Sequence, residues 1–94
     1  MERPALLIID MCTDFFQEGR LLQARERLCE SINELASFFR RGDCPVIWVR
    51  QEFKADLSDA FLSMRKQGIR ITIEGTEGAK LLSELDVKSA DLVV

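Results

Sequence analysis

Histidine is absent from the 94 residues, proline occurs only twice and glycine five times, and there are three cysteines. Without histidine, the commonest general base and a frequent transition-metal ligand are missing, so imidazole triads and imidazole zinc sites cannot be built from these residues. The scarcity of proline and glycine, beside 47% hydrophobic and 31% charged residues, excludes a disordered or fibrous chain. Cys12, Cys29 and Cys44 are odd in number and lack Cys-x-x-Cys spacing, which suits reduced thiols better than a disulfide framework. The longest apolar run, Ala5 to Ile9, is far shorter than the roughly 20 residues that span a bilayer, and Met1-Glu2-Arg3-Pro4 lacks the basic start of a signal peptide. A cytoplasmic protein with no membrane partner is expected. Thirteen Lys and Arg against sixteen Asp and Glu, with no basic tract longer than Arg40-Arg41, argue against a nucleic-acid partner.

The length allows one domain with a modest core. Ala5-Leu6-Leu7-Ile8-Ile9, closed by Asp10, and Val46-Ile47-Trp48-Val49, closed by Arg50, are continuous apolar runs expected to form strands buried on both faces. Leu92-Val93-Val94 reads as a third strand. Leu28, Ile32, Leu35, Ala36 and Phe39 fall on one helical stripe, predicting a helix near residues 24–41. Arg40 and Arg41 would complement its C-terminus, and Gly42 would end it in the left-handed conformation. Leu57, Phe61 and Met64 predict a short helix capped by Asp56. Ile69, Ile71 and Ile73 alternate as a brief extended segment over the surface, and Thr76 would cap a last helix burying Leu81, Leu82 and Leu85.

Strand, helix, strand, helix, strand implies parallel pairing through right-handed crossovers, an α/β architecture. Crossovers advancing in one direction put their helices on one face of the sheet and leave the other bare. This arrangement, together with the apparent strand at Val94, is expected of a truncated half-domain that covers its sheet by pairing with another copy or another chain.

Asp10 ends the first strand at the edge where open parallel sheets bind ligands. Position alone serves equally for a turn-forming aspartate and for a catalytic carboxylate. Asp14, four residues on, could share a cation with it, although two carboxylates without a third oxygen ligand make a weak magnesium site. Leu6-Leu7-Ile8-Ile9-Asp10-Met11-Cys12-Thr13-Asp14-Phe15-Phe16 resembles the opening strand and loop of the isochorismatase-like cysteine hydrolase superfamily. Ile32-Asn33-Glu34-Leu35, Pro45 to Arg50, Glu74 to Ala79 and Asp91 to Val94 follow in that family's order.

The resemblance implies a three-layer α/β/α, Rossmann-like parallel sheet, with residues 1–94 forming the N-terminal half of one such domain and about its first three strands. It implies a hydrolase with a catalytic Asp, Lys and Cys, acting on an amide, ureido or related C–N bond or on a vinyl ether. Asp10 matches the Asp, whereas the places of the Lys and Cys lie beyond Val94, so the chain alone is expected to be inactive. Phe15, Phe16, Arg50 and Phe53 are the candidate substrate-pocket residues, although core or lid packing at the sheet edge suits the three phenylalanines better than a pocket wall on general grounds. Arg50-Gln51-Glu52-Phe53 stands where nicotinamidase-like members carry metal ligands, so no metal and no cofactor are expected, and nicotinamide is disfavoured as substrate. A small-molecule substrate and a homo-oligomer are the expected partners. Cys12 should stand at the mouth of the site as an oxidisable thiol, and Cys29 and Cys44 should be structural. The competing reading, magnesium-dependent phosphoryl transfer of the haloacid dehalogenase type, needs Asp-x-Asp after the strand, and Cys12 occupies the second position.

Overall fold

The computed structural model describes residues 3–94; Met1 and Glu2, part of the segment read for a signal peptide, lie outside the described residues. Three parallel strands, β1 (Leu6–Ile9), β2 (Val46–Val49) and β3 (Leu92–Val93), form one sheet in that order. Leu6 pairs with Val46 and Ile9 with Val49, while Ile47 pairs with Leu92. The long helix α1 (Gly19–Arg41) connects β1 to β2, and the short helix α2 (Leu62–Gln67) lies between β2 and β3.

The pleat and this register divide the strand residues into two sets. Ile8, Val46 and Trp48 are buried in a core with Cys29 and Ala36 of α1, with Leu82 and Leu85, and with Met11 and Phe16 beyond β1. The opposite face, which includes Leu7, Ile9 and Leu92, is open, with Leu7 54%, Ile9 57% and Leu92 57% exposed. The expectation that the strands are buried on both faces is therefore corrected: α1 covers one face only, as the crossover argument required. A second small core gathers Phe53, Leu57, Ala60, Met64 and Ile73.

One polar network fastens β3 to the helix layer. The Asp91 carboxylate, with 3% of its side chain exposed, accepts from Arg40 Nε at 3.0 Å and Nη2 at 2.5 Å, from Trp48 Nε1 at 2.9 Å and from the Lys88 amide at 2.9 Å. A buried carboxylate met by four donors is stabilised in its ionised form.

Several local expectations change. α1 begins at Gly19, five residues before the predicted start, because its N-cap, Glu18, makes no side-chain capping bond that would mark the place. Leu35 is 45% exposed, while Cys29 occupies the inner face. Gly42 stays at φ −85°, and Asp43 takes the left-handed conformation at φ 56° instead. Asp56 does not cap a helix; its Oδ1 accepts from the Ser58 amide in a turn at 2.9 Å, and α2 starts only at Leu62. The segment around Ile73 is not superficial, since Ile73 is buried and bridges to Phe53. No helix follows Thr76: a 3-10 turn spans Glu77–Ala79, Thr76 Oγ1 donates to the Ile73 carbonyl at 2.6 Å, and Leu81 bridges in extended form to Cys12. Leu82 and Leu85 still reach the core, from irregular backbone.

Candidate active site

The C-terminal edge of the sheet is built by the residues that follow β1 and β2. Asp10 leaves β1 with φ 64°, a left-handed conformation that aspartate tolerates better than most side chains. Its amide donates to the Val49 carbonyl at 3.1 Å, so the backbone is held to the sheet at the point where the chain turns. Its side chain remains exposed. Asp10 lies in a depression of about 280 Å³ lined also by Ile9, Met11, Phe15, Phe16 and Leu21. An anionic group on an apolar wall is an arrangement suited to gripping an uncharged organic ligand while offering one proton acceptor.

Phe15 and Phe16 sit on a 3-10 turn (Thr13–Phe16). Phe16 is 3% exposed and is shared between the main core and the depression. Leu21, the first apolar residue of α1 to join this wall, was not anticipated because the helix was expected to start after it. Phe53 does not line the depression; it is buried in the second core, with the Phe61 ring edge-on at 5.7 Å. Arg50 stands in register beside Asp10, one step past the last β1–β2 pair, and its Nη1 lies 3.6 Å from Glu52.

Asp14 turns away to a different task. Its Oδ2 accepts from the Thr72 amide at 2.7 Å, and its carboxylate rests on the bare Cα of Gly78. Thr72 is fully buried at φ 47°, its carbonyl accepts from the Phe53 amide at 2.9 Å, and its Oγ1 has no partner. A β-branched residue in this conformation is strained, and the contacts on both sides of it hold it there. The Asp14–Thr72–Gly78 contact thus ties the turn carrying Phe15 and Phe16 to the 68–80 loop. Only the glycine itself, between Glu77 and Ala79, marked it in the sequence.

Cys12 is not at the mouth of the site. It is completely buried, with Sγ 3.9 Å from the Gln51 carbonyl and its backbone bridged to Leu81. Backbone pairing on the loop side draws it inward, which removes it as an exposed, oxidisable thiol. Cys29 is buried too, and burial pushes its thiol pKa up, away from nucleophilic use. Among the described residues, no three Cys, Asp or Glu side chains gather to hold a metal ion, and no helix is long and apolar enough to cross a membrane.

Known proteins share this fold. A protein of Arabidopsis thaliana described as a probable inactive nicotinamidase is 30% identical over 93 residues, covering 93% of this chain and 47% of its own length. An isochorismatase family protein from Desulfovibrio vulgaris superposes with a TM-score of 0.79 at 30% identity, over 95% of this chain and 50% of that one. N-carbamoylsarcosine amidase from Thermoplasma acidophilum does so with a TM-score of 0.74 at 25% identity, over 98% and 50%. The chain therefore spans about half the length of the relatives it matches. The isochorismatase domain model matches residues 4–94, and since strand order and the superposed folds agree with it, the chain belongs to the isochorismatase family.

Proposed function

We propose that residues 1–94 form the N-terminal half of a hydrolase of the isochorismatase class, in which Asp10 is the catalytic acid/base. The observation that carries this reading is the exposed Asp10 carboxylate, on a backbone pinned to Val49, at an apolar depression on the C-terminal edge of a parallel sheet. The bond broken is an amide, ureido or related C–N bond, or a vinyl ether, in a small molecule. By the family resemblance, the lysine and the nucleophilic cysteine come from residues beyond Val94 or from another chain. For the C–N substrates, Asp10 accepts the thiol proton; the thiolate then attacks the carbonyl carbon, the C–N bond breaks and the amine departs with a proton, and water releases the acyl group from sulfur. Three free thiols suit a reducing, cytoplasmic setting.

The test is an Asp10→Asn substitution in the complete protein, assayed against amides, ureido compounds and vinyl ethers. A fall in kcat of about 1,000-fold is expected for a lost general base. Wild-type kcat in that variant would overturn the reading. The 94-residue chain alone is expected to show no turnover, and activity of that chain, abolished by Asp10→Asn, would remove the need for an outside nucleophile.

A second reading is favoured by the open sheet face: a noncatalytic half-domain that pairs with another copy. Leu7, Ile9 and Leu92 together leave an apolar surface of a kind that monomers seldom expose, and β1 ends the sheet with an unpaired edge. Sedimentation of the 94-residue chain is expected to show concentration-dependent association, weakened by Leu7→Lys with Ile9→Glu. A monomer at all concentrations, with a cooperative melt, would count against it.

A further inference from the structure

Four arginines meet carboxylates among the described residues: Arg3 donates through Nη1 to Asp43 Oδ2 at 3.0 Å, and two others are held at two points. Arg25 gives Nε and Nη2 to the two oxygens of Glu84 at 2.6 and 2.8 Å, and Arg40 does the same to Asp91. Arg50 differs. Its contact with Glu52 is a single Nη1 approach at 3.6 Å, and its Nε is shut off from solvent without a hydrogen-bond partner. Guanidinium keeps its charge at any accessible pH and prefers a planar, two-point acceptor, so a half-buried arginine left in this state is poorly used as a structural tie.

Its position gives it a use. The Val49–Arg50 peptide accepts from the Asp10 amide through the Val49 carbonyl and donates through the Arg50 amide to the Val94 carbonyl at 3.0 Å. The side chains of residues 10 and 50 therefore leave adjacent strands at the same level of the same edge, a strand spacing of about 5 Å apart at the backbone. One supplies an anion, and the other a cation with a third of its side chain exposed.

We propose that Arg50 is a specificity-determining residue of the site, and that the substrate carries a carboxylate close to the bond that is cleaved. The exposed Nη edge of Arg50 receives that carboxylate as a two-point hydrogen-bonded pair, displacing the loose contact with Glu52, and so sets the scissile carbon toward the Asp10 side of the edge. This assignment rests on the hydrolase reading above and adds the substrate class to it.

The experiment compares N-carbamoyl and N-acyl amino acids with their methyl esters as substrates of the complete protein. Wild type is expected to prefer the free acids by about 100-fold in kcat/KM, and Arg50→Gln to lower the acids by that factor while leaving the esters within about three-fold. Arg50→Lys, which keeps the charge but not the planar fork, should fall between. A purely structural role for Arg50 would depress acids and esters alike, and that result, or a wild-type preference for esters, overturns the proposal. Loss of both substrate series in Asp10→Asn, with the acid preference intact in wild type, separates the two assignments. If wild type turns over none of the pairs, the wider panel of amides, ureido compounds and vinyl ethers decides the hydrolase reading, and binding decides the carboxylate site. The Arg50 guanidinium resonances should then shift saturably with benzoate and not with benzamide, and their failure to move would overturn the carboxylate site as well.

Discussion

Gly78→Ala is expected to lower the thermal midpoint by roughly 10–20 °C, a loss of about 2–3 kcal/mol in a domain of this size. The requirement for glycine here is steric. A Cβ built on Gly78 falls within the Asp14 carboxylate, against Cγ and both oxygens. The carboxylate cannot swing aside freely, because Oδ2 is the acceptor for the amide of Thr72, a fully buried residue. Moving Asp14 orphans that donor in the interior, and the strained Thr72 backbone then loses one of the contacts that hold it at φ 47°. In an Asp14→Ala background the clash is already gone, so Gly78→Ala should cost about 1–2 kcal/mol less than it does alone. Melts of the two single variants and the double variant measure this coupling. Equal cost in both backgrounds, or a Gly78→Ala midpoint within 2 °C or so of wild type, would show that the loop accommodates the methyl group.

Asp91→Ala should cost about 3–5 kcal/mol, because it leaves the partly buried Arg40 charge, the Trp48 indole N–H and the Lys88 amide without their common acceptor. Trp48→Phe, which removes one donor and keeps the ring, should cost only about 1 kcal/mol. Acid supplies an independent check. The hydrogen bond from Arg40, reinforced by those from Trp48 and Lys88, brings the Asp91 carboxyl down to about 2 from its ordinary value of 3.8. A depressed carboxyl contributes in full above the unfolded-state value and loses its contribution as pH falls through the folded-state value. Some 2 kcal/mol should therefore disappear between about pH 4 and pH 2. Urea midpoints measured across that window should decline less steeply in Asp91→Asn. Glu84, held near 2 chiefly by the Arg25 hydrogen bond, pulls in the same direction but is more exposed, so its share is smaller and the slope will not vanish. An unchanged slope in Asp91→Asn would contradict this assignment.

The strands and their parallel order were legible because two uninterrupted apolar runs, each preceded by proline and followed by a charged residue, have few other ways to be buried. The end of α1 was legible from Arg40-Arg41-Gly42. Its beginning was not, since Gly19-Arg20-Leu21-Leu22 carries no cap and Leu21 and Leu22 remain about half exposed. Leu81, Leu82 and Leu85 imitate helical spacing, but the demand of Cys12 for a backbone partner draws Leu81 into an extended bridge instead. At the candidate site, the place of Asp10 on the sheet edge was readable from its position after the first apolar run. The different settings of Asp10 and Asp14 were not, because both follow the same strand and only the distant Thr72 and Gly78 decide which way the second carboxylate turns. Cys12 was misplaced for the same reason: loop burial depends on residues some seventy positions away.

The register of the sheet also has a kinetic meaning. Leu6 waits for Val46 and Ile47 for Leu92, so each strand pairing closes a loop of about forty residues or more, and no hairpin is available as an early local gain. During folding, α1 is the one long element that can gather from near neighbours. The strands can be rewarded only after both loop closures have been met, a route typical of slow-folding parallel sheets. Until then the Ala5 to Ile9 and Val46 to Val49 runs stay uncovered, so the yield of folded protein depends on how quickly α1 docks its Cys29 and Ala36 face onto them.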